Sequence, residues 1–214
     1  MSSKTDPQLE FWRGSFGDEY IKRNPLNEAT VRSRIAMWAR ILEALRGRPL
    51  DSVLEVGANV GVNLAALRHL TPATLYALEP NDKARARLVE NGLVPAARAL
   101  GGSAAAIALD DRAVDLVFTS GVLIHIAPEN LAAACRDMHR VARRYVACIE
   151  YFSSDPEEVL YRGHAGRLYK RDFGGFWLDQ FADLRVVDYG FFWRRSTGLD
   201  NLTWWLFEKT AAAS

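Results

Sequence analysis

Apolar positions along the chain recur with two different periods, and the switch between them predicts the elements. Over 27–46, NEATVRSRIAMWARILEALR, the residues Val31, Ile35, Trp38, Ile41, Leu42 and Leu45 fall on one face of a 3.6-residue repeat, which predicts an amphipathic helix. Asn27 is suited to cap it, Leu26 and Val31 to staple its entry, and Gly47 to stop it. From residue 52 short apolar runs alternate with helical stretches. Strands are expected at 52–56 (SVLEV), 74–79 (TLYALE), about 96–100, 114–120 (VDLVFTS) and 145–151 (YVACIEY). Helices should start near Val60, Asp82 and Glu129, with a short one near 103–107. Such alternation predicts a Rossmann-like α/β architecture, a mostly parallel sheet with helices on both faces. After Tyr151 the alternation breaks, and two runs at 184–193 (LRVVDYGFFW) and 202–209 (LTWWLFEK) read as a closing antiparallel hairpin without a helix between them. Trp204 and Trp205 put one ring on each face of the last strand.

No repeat or low-complexity linker interrupts the 214 residues, so one domain is expected over 1–214: an N-terminal segment (1–47), a core (50–151), an insert (152–182) and the hairpin (183–209). The 27 Lys plus Arg against 26 Asp plus Glu leave a formal charge of +1, without the excess that phosphate-backbone binding demands. Nucleic acid is therefore not expected as a partner. Cys135 and Cys148 sit in periodic apolar segments, far from any zinc-ligand spacing, and read as buried reduced thiols; no metal is expected. The start, MSSKTDPQLE, has no apolar leader, and no run approaches the roughly 18 residues of a membrane span. A cytoplasmic protein, a monomer or homodimer, is the expectation.

Three segments bring chemistry to the carboxyl ends of the predicted strands, where ligands of open parallel sheets bind. In EVGANVGVNL (55–64), Gly57 and Gly61 allow a tight turn and Asn59 is placed to cap the following helix. Glu79 ends the next strand, and a carboxylate there can accept from both hydroxyls of a ribose. A solvated strand-end Glu is the plain alternative. In TSGVLIHIAPEN (119–130), Ser120, Gly121 and Val122 leave backbone groups free at a strand end, and His125 follows as a general base or a hydrogen-bonding loop histidine. A dinucleotide fingerprint would have a glycine where Asn59 stands. An NAD-dependent oxidoreductase is the competing enzyme class; a non-catalytic cofactor-binding subunit is a third reading.

Together EVGANVGVNL, LYALEPND and DLVFTSGVLIHI resemble the motifs of class I S-adenosylmethionine-dependent methyltransferases. The resemblance implies that Gly57, Asn59 and Gly61 line the methionine moiety of S-adenosyl-L-methionine, that Glu79, with Pro80 and Asn81 beside it, takes the ribose, and that Ser103 and Ala104 flank the adenine. The family often has an Asp at that last place, whereas this chain has GGSAAA. FWRGSFGDEYIKRN (11–24) and EYFSSDPEEVLYRGHAGRLYKRDFGG (150–175) further resemble methyltransferases associated with pseudaminic acid biosynthesis. By analogy the first segment is a lid, with Tyr20, Arg23 or Asn24 reaching the cofactor carboxylate and Trp12 on the substrate side. In the second, Arg162, His164, Tyr169, Lys170 and Arg171 form either a solvated basic surface or a site for an anionic small-molecule substrate. The reaction implied is methyl transfer to oxygen or nitrogen of a small acidic, sugar-like metabolite. His125 is the first candidate base, with Tyr151 and His164 behind it.

Overall fold

The computed structural model describes residues 7–210. Two short helices, α1 (Pro7–Arg13) and α2 (Ser15–Arg23), precede α3 (Glu28–Leu42), which a 3₁₀ turn extends through Leu45. The Asn27 side chain accepts from the Thr30 N–H at 3.0 Å while Thr30 Oγ1 accepts from the Asn27 N–H at 3.1 Å, so the predicted cap closes reciprocally. The core follows as β1 (Ser52–Val56), α4 (Val62–Leu67), β2 (Thr74–Leu78), α5 (Asp82–Glu90), β3 (Ala99–Leu100), β4 (Val114–Ser120), α6 (Pro128–Val141) and β5 (Ala142–Glu150). The insert contributes a two-stranded ribbon, β6 (Glu157–Glu158) with β7 (Tyr169–Lys170), and α7 (Phe173–Gln180). Last come β8 (Leu184–Phe192), the one-turn α8 (Arg194–Thr197) and β9 (Leu202–Lys209).

The main sheet has the order β3-β2-β1-β4-β5-β9-β8. The pairs among β1 to β5 are parallel, and β9 runs antiparallel to both β5 and β8. β1 and all but the last residue of β4 are buried because helices cover both sheet faces. One core packs Trp38 and Ile41 of α3 with Leu64, Leu67 and Leu88; the other packs Leu131, Cys135 and Met138 of α6 with Phe173 and Trp177 of α7. Trp204 belongs to the first core and Trp205 to the second, as strand alternation requires.

Several expectations change in the structure. α4 starts at Val62 rather than near Val60, because Asn59 (φ 47°) and Gly61 (φ 84°) hold the left-handed conformation and keep the chain out of the helix. Asn59 consequently does not cap it. Residues 103–107 form a tight turn closed by the Ala106 N–H on the Ser103 carbonyl (3.0 Å), not a helix, and 96–98 form a 3₁₀ turn before a two-residue β3. Finally, α7 arises in the insert, capped by Asp172, whose side chain accepts from the Gly175 N–H, and α8 interrupts the closing hairpin.

Candidate active site

The strand order reverses between β1 and β4, and a cavity of about 380 Å³ opens beyond their carboxyl ends. Its floor is the β1–α4 turn. There the N–H groups of Gly57 and Ala58 donate to the Leu78 carbonyl (2.8 and 3.1 Å), that of Asn59 to Glu79 Oε2 (2.7 Å), and that of Gly61 to the Ala58 carbonyl (2.8 Å). A phosphate cradle needs free N–H groups, and four of this turn's are already committed within the protein. Gly57 has φ 76°, and a Cβ there would lie 2.5 Å from the Val122 side chain, so the turn and the post-β4 loop press together. Gly61 does not line the cavity. Its missing Cβ makes room for Leu88 and Leu93, either of which would be 2.5 Å away.

Glu79 lines the cavity and is buried; its Oε1 accepts from the Asn81 N–H at 2.8 Å, and each carboxylate oxygen keeps a further lone pair for a ligand. Burial pushes its pKa up to about 7, while the two N–H groups oppose the rise. Pro80, Asn81, Ala84, Ser103 and Ala104 continue this wall, and Ser120, Gly121 and Val122 form the one facing it. Asn81 Oδ1 also caps α5 by accepting from the Ala84 N–H, and its amide donates to Asp18 of α2 at 3.0 Å, which ties the N-terminal helices to the cavity rim.

The other end is polar. Arg34 of α3 lines the cavity near Glu55 of β1, whose Oε1 accepts from Asn63 Nδ2 at 2.7 Å and whose Oε2 has no hydrogen-bond partner among the described residues. Burial pushes Glu55 up to about 8 and pulls Arg34 down, each tempered by the other's charge. Tyr20 and Asn24 of the N-terminal segment line the same end; burial pushes the Tyr20 phenol up to about 12, and the Asn24 amide donates to the Tyr20 carbonyl. Glycine turn, carboxylate, apolar wall and a half-buried cation thus line one cavity.

Residues 54–149 match the methyltransferase domain family model. That match, together with the fold, supports a methyltransferase enzyme that uses S-adenosylmethionine. No functionally curated protein matches the chain in sequence. Among solved structures, it superposes on an S-adenosylmethionine-dependent methyltransferase from Leishmania major at 17% identity (TM-score 0.70, covering 95% of this chain and 87% of that one). It also superposes on 1,6-didemethyltoxoflavin-N1-methyltransferase of Burkholderia thailandensis at 21% (0.67, 99% and 94%) and on magnesium protoporphyrin IX methyltransferase of Synechocystis at 15% (0.68, 94% and 98%). Both of those were crystallised with S-adenosylhomocysteine. At these identities the likeness is one of fold.

Next to the N-terminal helices, Trp12 and His125 both line the cavity, their ring centroids 4.7 Å apart, and Tyr161 lies 4.9 Å from His125. The His125 Nδ1 is 2.6 Å from the Arg167 carbonyl, which can only accept, so Nδ1 carries the proton and Nε2 keeps its lone pair. Burial pulls its pKa down to about 4, and the imidazole is neutral at neutral pH. Several expected residues lie elsewhere. Tyr151 does not line the cavity; its hydroxyl donates to Asp200 at 2.8 Å, and burial with that carboxylate pushes its pKa far up, so the phenol holds its proton. His164 is exposed, with its ring against Phe11 and Phe16. Lys170 pairs with Glu157 at 3.0 Å, Arg171 stacks over Phe176, and Arg162 is exposed beside Tyr161, so the basic run does not converge on the cavity; Tyr169 sits in the ribbon. Arg23 stacks over Phe16 and Tyr20, behind the cavity wall.

Sequence reasoning missed Arg34 and Glu55, and both had left a signal. Arg34 interrupts the apolar stripe between Val31 and Trp38, and Glu55 is a charge inside the apolar run SVLEV. A charge placed among residues destined for burial needs a reason.

Proposed function

We propose that the enzyme methylates an oxygen or nitrogen atom of a small acidic, sugar-like molecule held beneath the roof of Trp12, His125 and Tyr161. The observation that carries the acidic part is Arg23. Its Nε and Nη2 are buried without a hydrogen-bond partner among the described residues, and its guanidinium lies 5.4 Å from the ring of Tyr20, which lines the cavity. Glu19 lies 3.6 Å from Nη1 alone, so the two remaining donors stay unmet, which is costly, and an acceptor carboxylate reaching past Tyr20 would satisfy them. This moves the anion contact from the exposed run at 162–171 to the lid.

S-adenosylmethionine supplies a methyl group activated by its sulfonium. The protein's part is alignment and exclusion of water. Glu79 would hold the ribose hydroxyls, Arg34 with Tyr20 the methionine carboxylate, and the carbonyls around Ser120 and Gly121 the ammonium. His125, neutral and with Nε2 unprotonated, would accept a hydrogen bond from the acceptor's hydroxyl or amine and orient its lone pair toward the methyl group. The helices α1 and α2 would act as the lid that admits the acceptor.

Methyl transfer from labelled S-adenosylmethionine should be followed with acidic sugars of the pseudaminic acid class and with their neutral counterparts. Acidic acceptors should be preferred, and Arg23→Met should raise their KM about tenfold without affecting neutral ones. Equal use of both sets, with KM unchanged in the variant, would refute an acidic acceptor.

A further inference from the structure

Glu150 closes β5 with no exposed surface. Its Oε1 accepts from the N–H groups of Val122 (3.2 Å) and Leu123 (3.1 Å), and its Oε2 from that of Ile124 (3.5 Å). These are the leading donors of the 3₁₀ turn at Leu123–His125, which have no partner within the turn itself. The Gly121 N–H donates to the neighbouring Ile149 carbonyl at 2.8 Å, so the end of β5 grips the post-β4 loop at two successive residues. No cation pairs with Glu150 among the described residues, and the nearby thiols of Cys135 of α6 and Cys148 of β5 are kept protonated by burial. A buried carboxylate compensated by three loop N–H groups and the neighbouring Thr119 hydroxyl is an expensive way to hold a turn unless the position of the turn matters.

The segment from Ser120 to His125 carries four residues of the cavity wall, Ser120, Gly121, Val122 and His125, and Val122 is the side chain against which Gly57 closes. We infer that Glu150 is a positioning residue of the methyltransferase: by binding three successive N–H groups it sets the loop that forms the wall shared by cofactor and acceptor. It touches neither ligand and acts through that loop.

Glu150→Gln tests this, since it keeps the volume but presents an amide donor to one of the three N–H groups. Binding of S-adenosylhomocysteine, measured by calorimetry, should weaken about tenfold or more. Hydrogen–deuterium exchange should show protection lost over residues 121–125. Val114→Ala, a buried truncation at the opposite end of β4, serves as the control for lost stability alone; it should lower the melting temperature while leaving both readouts at their wild-type values. Glu150→Asp keeps the charge one methylene further back and should restore part of the affinity, and it carries the same test if the Gln variant does not fold. Wild-type affinity and protection in the Glu150 variants, or an equal loss in Val114→Ala, would overturn the assignment.

Discussion

Glu79→Gln should trade cofactor affinity for stability, and the geometry sets both magnitudes. In the folded protein the Glu79 carboxyl is pushed by burial from an ordinary 4.5 up to about 7. An acid whose pKa is raised by folding favours the folded state below the unfolded value and loses that advantage as the pH rises through the folded one. Wild-type stability therefore drains away between pH 4.5 and 7, and the interval corresponds to about 3 kcal/mol. Gln has no charge to bury, but its amide opposes one of the two N–H groups of Asn59 and Asn81, at a cost of about 1 kcal/mol. The variant should be about 2 kcal/mol more stable than wild type at pH 8, and this gain should vanish near pH 5. Toward the cofactor the sign reverses. Two charge-assisted bonds to ribose hydroxyls become neutral ones, a loss of about 2–3 kcal/mol, which is about 30- to 150-fold in Kd. Thermal unfolding at the two pH values and calorimetric titration with S-adenosylhomocysteine measure both effects. A Kd within twofold of wild type would refute the ribose role of Glu79.

Two other perturbations probe the same cavity. At saturating S-adenosylmethionine, where protonation of Glu79 no longer limits binding, turnover should hold on the acid side down to about pH 4, where the His125 imidazole takes up its proton, and His125→Ala should remove that limb together with most of the rate; a limb near pH 6.5 that disappears in His125→Ala would contradict the buried, neutral imidazole. Gly57→Ala puts a side chain into a left-handed turn and against Val122, so it should cost about 2–4 kcal/mol in thermal unfolding and weaken S-adenosylhomocysteine binding, whereas Gly47→Ala, with open space around it, should cost only about 1 kcal/mol.

The periodicity of apolar residues was enough to place most elements, because residues that must face a core cannot hide their spacing. The strands from SVLEV to YVACIEY and the capped helix at Asn27 were legible for that reason. Legibility failed where local pattern is weak. The stretch GGSAAA reads as a helix by its alanines, but the chain turns there on a Ser103–Ala106 pairing. FGGFWLDQ carries two glycines that argue against a helix, yet α7 forms and packs so closely on Trp205 that a Cβ at Gly174 would meet its ring nitrogen at 2.2 Å.

For the cavity, the chain by itself determined which strand-end segments meet at one sheet edge. Gly57, Asn59 and Glu79 are fixed to strand ends by their places in the βα repeat, and a parallel sheet brings consecutive strand ends to one edge. Which distant residues join them was decided only by tertiary packing. Arg34 reaches the cavity because α3 packs against α4, the basic run at 162–171 is kept from it by Glu157 and Phe176, and Glu150 meets the post-β4 loop across two paired strands. Periodicity records which face of an element is buried, but not what lies opposite it. A buried charge finds its partner through contacts between residues far apart in the chain, and those exist only once the sheet has closed.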